Sequence, residues 1–201
     1  MSLWRGDPLI LASKSTARLA LLQAAAIPVL VEPADLDERV LEASAGKNPG
    51  AEGVAMLLAR EKALAVAKRK PKAHVLGADQ TLALGARRFS KPSSLAVARE
   101  QLSALAGRTH MLHSAVAVAR GPEILFETVA TARLTMRPLS GEFLDAYLAA
   151  AGDDAMTSVG AYRLEGSGMH LFEKIEGDHS TILGLPLLPL FEFFRKAGLL
   201  P

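Results

Sequence analysis

Residues 9–22 read LILASKSTARLALL, an apolar run, a polar turn and then an Ala/Leu-rich stretch, and this succession decides the fold class. Leu9 to Ala12 suits a short buried strand, Ser13, Ser15 and Thr16 supply hydroxyls suited to starting a helix, and Ala17, Leu21, Ala24 and Ala25 recur at helical spacing. The helix runs towards Ala26, Pro28 forbids its continuation, and Val29 to Glu32 follows as a second strand. Backbone N–H groups at a helix start, hydroxyls and the Arg18 guanidinium converge on this turn, which suits a phosphate. Helix capping beside a solvated Arg18 is the plainer reading of the same residues, and the turn alone leaves both open.

Outward from this stretch, Glu42 to Gly50 mixes Ser, Gly, Asn and Pro and predicts a loop, whereas Ala51 to Lys68 is rich in helix formers. Val75 to Ala78 predicts a buried strand with Asp79 at its end, and Gly85 with the following arginines predicts a hairpin leading to Lys91. Pro92 and Ser93 open a helix that places Leu95, Ala98, Leu102 and Leu105 on one face and stops at Gly107. Met111 to Ala119 and Ile124 to Met136 predict two long strands joined at Gly121 and Pro122, and therefore antiparallel. Ser140 caps a helix to about Ala151, a Gly-rich strand region follows, and Pro186 begins the last helix. Alternating helices and strands with one long hairpin predict an α/β fold with a mixed, twisted sheet rather than a purely parallel one.

Composition narrows the function classes. The 201 residues suffice for one domain or two small lobes, and half of them are hydrophobic. The 23 basic and 21 acidic residues are interspersed, giving a formal charge of +2 and no broad basic field, so nucleic acid is not expected as partner. Cysteine is absent, which excludes disulfides and thiolate metal sites. The N-terminal residues carry Asp7 and Pro8 where an export signal has an apolar run, and the most apolar stretch, Ile182 to Phe194, is broken by Pro186, Pro189 and Glu192. A cytoplasmic protein without a membrane span is expected.

Chemistry-bearing residues are sparse. Asp79 after an apolar strand is placed to hold a cation or activate water, and Asp35, Asp37 or Glu38 offers a second carboxylate for a hard divalent ion. Lys62 and Lys91 suit phosphate charge, although a lone lysine more often lies in water. Gly166-Ser167-Gly168 belongs to no complete phosphate-binding or dinucleotide fingerprint, and no G-x-S-x-G elbow is present. His110 and His113, three apart in a strand, face opposite sides and are expected to be structural rather than metal ligands.

In order along the chain, Leu11-Ala12-Ser13-Lys14-Ser15-Thr16-Ala17-Arg18, Asp37-Glu38, Ala59-Arg60-Glu61-Lys62-Ala63, Gly77-Ala78-Asp79-Gln80, Lys91-Pro92, Leu105-Ala106-Gly107, Gly160-Ala161-Tyr162, Glu176-Gly177-Asp178 and Gly184-Leu185-Pro186 resemble the pattern of the Maf family of nucleotide pyrophosphatases. The resemblance covers nearly the whole chain. It implies a single Maf-like domain over residues 1–201, similar to inosine triphosphate pyrophosphatases, with flanking helices in two lobes and a substrate cleft between the lobes. It further implies hydrolysis of a nucleoside triphosphate to the monophosphate and pyrophosphate. Asp79 matches the family's proton acceptor, and Ser13, Arg18, Glu38, Lys62 and Lys91 match its polar set. Mg²⁺ or Mn²⁺ is expected on Glu38 or Asp79, and a homodimer is compatible with the resemblance.

Base choice in the family tracks the positions of Ala17, Gln80 and Glu165, and Gln with Glu resembles the branch acting on 7-methyl-GTP. A carboxylate can accept from both N1–H and N2–H₂ of guanine, and a 7-methylated ring carries a positive charge that an anion favours. Thr16 stands where the family has proline, Ala17 where Arg or Trp is expected, and Thr157-Ser158 where many members have Asp-Lys. A dTTP, UTP or broad-specificity pyrophosphatase is the second reading, and a non-catalytic nucleotide-binding regulator of septum formation the third.

Overall fold

The computed structural model, which describes residues 3–44 and 49–201, turns the stretch 9–22 into strand β1 (Leu9–Leu11) and helix α1 (Thr16–Ala24). Ser15 is the N-cap, its hydroxyl accepting from the Arg18 N–H at 3.3 Å. Strand β2 (Val29–Val31), helices α2 (Glu38–Ser44) and α3 (Gly50–Arg69), strands β3 (Val75–Leu84) and β4 (Arg87–Phe89) and helix α4 (Leu95–Leu105) follow. Then come β5 (Thr109–Arg120), β6 (Glu123–Met136), α5 (Gly141–Ala151), β7 (Phe172–Glu176), α6 (His179–Ile182) and α7 (Leu187–Lys196).

Two compact units share these elements. The first comprises residues 1–80, 113–130 and 178–201, and the second residues 81–112 and 131–177. In the first unit the strands lie in the order β2, β1, β3, β5, β6, with β1 parallel to both its neighbours. In the second, β4 pairs antiparallel with the end of β3, and β7 antiparallel with β6. The sheet is therefore mixed, with helices flanking it.

Strand alternation sorts the first unit's core into two layers. Leu9, Leu11, Leu76, Ala78, Val116 and Val118 join Leu190 and Phe194 of α7 in one cluster. Their strand neighbours Ile10, Ala12, Val75, Ala115, Ala117 and Ala119 join Ala55, Ala59, Ala63 and Ala67 of α3 in the other. Ala55, Ala59, Ala63 and Ala67, with Val66, form this α3 face, and the alanines let the helix backbone come close to the sheet. Gly77 completes that approach: a Cβ there would lie 2.1 Å from the Ala59 carbonyl oxygen and 2.6 Å from the Ala63 nitrogen. Any side chain at position 77 would drive α3, and with it Lys62, away from β3.

Three sequence expectations need correction. Glu42 to Ser44 are helical, part of α2, because Asp37 caps that helix by accepting from the N–H groups of Arg39 and Val40 at 3.1 and 3.2 Å; residues 45–48 of the expected loop lie outside the described residues. Asp79 sits in the middle of β3 rather than at its end, since Leu82, Ala83 and Leu84 remain in strand by pairing with Phe89, Arg88 and Arg87. The Gly-rich region before Pro186 forms short 3₁₀ turns over 152–156, 159–161 and 167–171 before β7. The capping residues Ser94, Ser140 and Asp178 and the positive-φ glycines 107, 121 and 152 stand at element ends, as local signals require. No helix among the described residues is long and apolar enough to cross a membrane.

Candidate active site

Asp79 and Gln80 are consecutive on β3 and therefore face opposite layers of the first unit. Asp79 shares its face with Val75 and Gly77, towards α3, where the absent Cβ at position 77 lets Lys62 reach it. The Lys62 ammonium donates to Asp79 Oδ1 at 2.5 Å and pairs with Glu38 Oε1 at 2.8 Å, so one cation is shared by two carboxylates. The Lys62 and Asp79 side chains are each 12% exposed, and that of Glu38 is 50% exposed. Burial pushes the Asp79 carboxyl above its ordinary range, and the nearby Lys62 and Arg18 charges pull the other way without cancelling the shift.

Arg18, in the first turn of α1, is buried. Its Nε donates to the Gly184 carbonyl at 2.9 Å, and its Nη1 to the Ala78 carbonyl at 2.8 Å and the Ser13 hydroxyl at 3.1 Å. Burial lowers its pKa, against the raising effect of Asp79 and Glu38. Gly184 has a φ of +88°, and a Cβ on it would meet Arg18 Nε and Nη2 at 3.3 Å. The Ser13 hydroxyl accepts a second bond from the Ser15 N–H at 3.2 Å, which leaves its own hydrogen to donate. The turn thus contains both the cap and the guanidinium that its sequence suggested, but Arg18 is buried rather than solvated.

On the opposite face of β3, Gln80 Nε2 donates to Ser114 Oγ at 2.8 Å and to the carbonyls of Ile182 and Thr181 at 2.9 and 3.3 Å. Ser114 on β5, fully buried, donates to the Thr181 carbonyl at 2.7 Å. Sequence reading missed Ser114, because a lone serine within an apolar strand has no local signature. Ala17, half-buried on α1, adds only a methyl group.

Lys91 and Glu165 belong to the second unit. Lys91 is exposed between β4 and the buried Pro92. Glu165 borders a cavity of about 330 Å³ lined also by Tyr147, Ala151, Asp154, Arg163 and Ser167. The Arg163 Nε donates to Glu165 Oε1 at 3.0 Å, and its Nη1 lies 3.4 Å from Asp154 Oδ2. Thr157 and Ser158 bond to the backbone carbonyls of Asp154 and Tyr162. His110 is fully buried, 2.7 Å from the Tyr162 hydroxyl through Nε2, in the structural role expected of it.

Among the described residues no three His, Cys, Asp or Glu side chains form a metal-binding cluster. What the first unit brings together is Ser13, Arg18, Glu38, Lys62 and Asp79: two cations, two carboxylates and a hydroxyl. Such a set can bind a polyanion through its cations while a carboxylate takes up a proton.

The family model described as Maf-like protein matches residues 8–197. The chain is 57% identical over 201 residues to a nucleoside triphosphate pyrophosphatase of Bradyrhizobium diazoefficiens, covering 100% of this chain and 99% of that one. It is 50% identical over 193 residues to a 7-methyl-GTP pyrophosphatase of Rhizobium johnstonii, covering 94% and 96%. Among solved structures, a HAM1 protein from Coxiella burnetii is similar over 65% of this chain and 73% of that one, with a TM-score of 0.44 at 18% identity.

Proposed function

The chain belongs to the Maf-like protein family of nucleoside triphosphate pyrophosphatases, and we propose that it splits the bond between the α- and β-phosphates at the Asp79 cluster of the first unit. The observation that carries this reading is the Lys62 ammonium held between Asp79 and Glu38 with Arg18 nearby. Asp79 accepts a proton from the water that attacks the α-phosphorus, and its raised pKa makes it a stronger base than an ordinary carboxylate. Arg18 and Lys62 offset charge on the phosphoryl oxygens and the departing pyrophosphate.

Mg²⁺ or Mn²⁺ fits the donor chemistry. Glu38 and Asp79 already direct oxygens at one positive centre, and Mg²⁺ is commonly held by one or two carboxylates together with substrate phosphates. When bound, the ion supplies Lewis-acid polarisation of a phosphoryl oxygen. Glu38 and Asp79 would hold the ion, and Lys62 would neutralise phosphate charge beside it.

For the base, we propose a 7-methyl-GTP-like guanine recognised by the Glu165 carboxylate. Two acceptor oxygens match N1–H and N2–H₂, and the relative named for 7-methyl-GTP supports the choice. A broader range of bases is the second reading, favoured by Arg163, which already holds Glu165 and offsets the charge that a cationic ring would meet. Pyrophosphate release with Mg²⁺ or Mn²⁺ across 7-methyl-GTP, GTP, dTTP and UTP tests both readings. No release from any of them refutes the hydrolase, and equal rates on all refute guanine selectivity.

A further inference from the structure

The buried polar groups on the α6 side of β3 lie away from Asp79, yet they form one continuous chain of hydrogen bonds that ends at Arg18. The Thr181 and Ile182 carbonyls belong to the last turn of α6, where helix acceptors have no partner within the helix itself. Ser114 Oγ at 2.7 Å and Gln80 Nε2 at 2.9 Å supply those partners. Two carbonyls facing the same Gln80 nitrogen also fix which way the amide lies, since its oxygen in that place would repel both. The Gly184 N–H donates to the Thr181 carbonyl at 3.0 Å, and the Gly184 carbonyl accepts from Arg18 Nε at 2.9 Å. Held at Nε and at Nη1, the guanidinium has its plane determined, and Nη2 takes no part in these bonds.

We propose that Ser114 and Gln80 are positioning residues for Arg18: they lock the 181–184 turn so that its Gly184 carbonyl sets the plane in which the guanidinium meets phosphate. The inference rests on the proposed function in that Arg18 serves the polyanion. It gives Gln80 a role other than reading the base, because the Gln80 amide nitrogen is already committed to Ser114 and to two backbone carbonyls. Loss of either brace lets the turn shift and the Arg18 plane rotate, and displacements near 1 Å in such sites cost on the order of a hundredfold in rate.

The test is a double-mutant cycle of Ser114→Ala with Arg18→Lys, read as kcat for pyrophosphate release on a purine and a pyrimidine triphosphate and as affinity for inorganic pyrophosphate by calorimetry. Ser114→Ala is expected to lower kcat by roughly tenfold to a hundredfold on both bases alike and to weaken pyrophosphate binding. The double variant should fall little below Arg18→Lys alone, and Ser114→Thr should restore most of the loss. Gln80→Met, which removes the donors but keeps the volume, should repeat the pattern if Ser114→Ala folds poorly. Additive losses in both readouts, or a loss confined to one base, overturn the proposal. Wild-type protein that binds pyrophosphate but releases none from any triphosphate refutes the hydrolase reading instead, and the cycle on binding still decides the brace.

Discussion

The two units treat ionisable groups in opposite ways. The first buries Arg18, Lys62 and Asp79 as charges and surrounds each with partners, whereas the second buries the uncharged His110, Tyr147 and Tyr162, leaves Lys91 exposed and pairs the half-buried Arg163 with Glu165 and Asp154 near the surface. Burying charge is costly unless bonds compensate it, so an arrangement of this kind is expected where fixed charge has work to do on a ligand. Neutral buried rings, by contrast, pack a core. Chemistry is therefore expected to reside in the first unit, and selectivity in the exposed groups of the second.

The sharpest way to break the contrast is Asp79→Asn, which keeps the shape and removes the proton acceptor. Pyrophosphate release should fall by about 10²–10⁴-fold while circular dichroism stays unchanged; a variant with near-normal turnover would remove Asp79 from the chemistry. Lys62→Met should cost on the order of 10²-fold in kcat, since one fixed charge at the phosphoryl group is lost. Steady-state kinetics at saturating triphosphate measures it.

The second unit's contribution appears in stability. Burial holds the His110 pKa down at about 4, against an ordinary value of 6.5, so the folded form binds fewer protons than the unfolded chain between these values. Stability then declines as pH falls through that window, by roughly 2 kcal/mol between pH 6.5 and 5. Urea unfolding at the two pH values, repeated with His110→Gln, should show the slope and its loss; an unchanged slope would place the proton elsewhere. Smallest is Glu165→Gln, expected to alter the rate ratio between 7-methyl-GTP and UTP by about tenfold with kcat on UTP little changed. A constant ratio would move base selection away from Glu165.

Much of the framework could be read locally. Ser15 and Ser140 announce helix starts, Pro92 and Ser93 announce the start of α4 just before its actual cap Ser94, and Gly107, Gly121 and Gly152 announce ends and turns, because capping and positive φ depend on a few adjacent residues. Gly85 and the arginines after it announce the β3–β4 hairpin, but nothing local shows that its first arm is continuous with Val75 to Ala78, which sets Asp79 in mid-strand rather than at a strand end. Asp37 illustrates a different difficulty, since one carboxylate type serves cap and metal alike, and here it caps α2 while its neighbour Glu38 reaches Lys62. The Arg18 brace lay furthest from reach, for its links join residues 18, 80, 114 and 184, which only the folded chain brings together.

The alternation of β3 also limits how this protein can change. Substitutions along the strand alter one side at a time, but inserting or deleting a single residue between Val75 and Asp79 would exchange the acid and the amide, pointing the carboxylate at α6 and the carboxamide at Lys62. Length variation in the lineage should accordingly gather in the connecting segments, while this strand keeps its count of residues even where its letters drift.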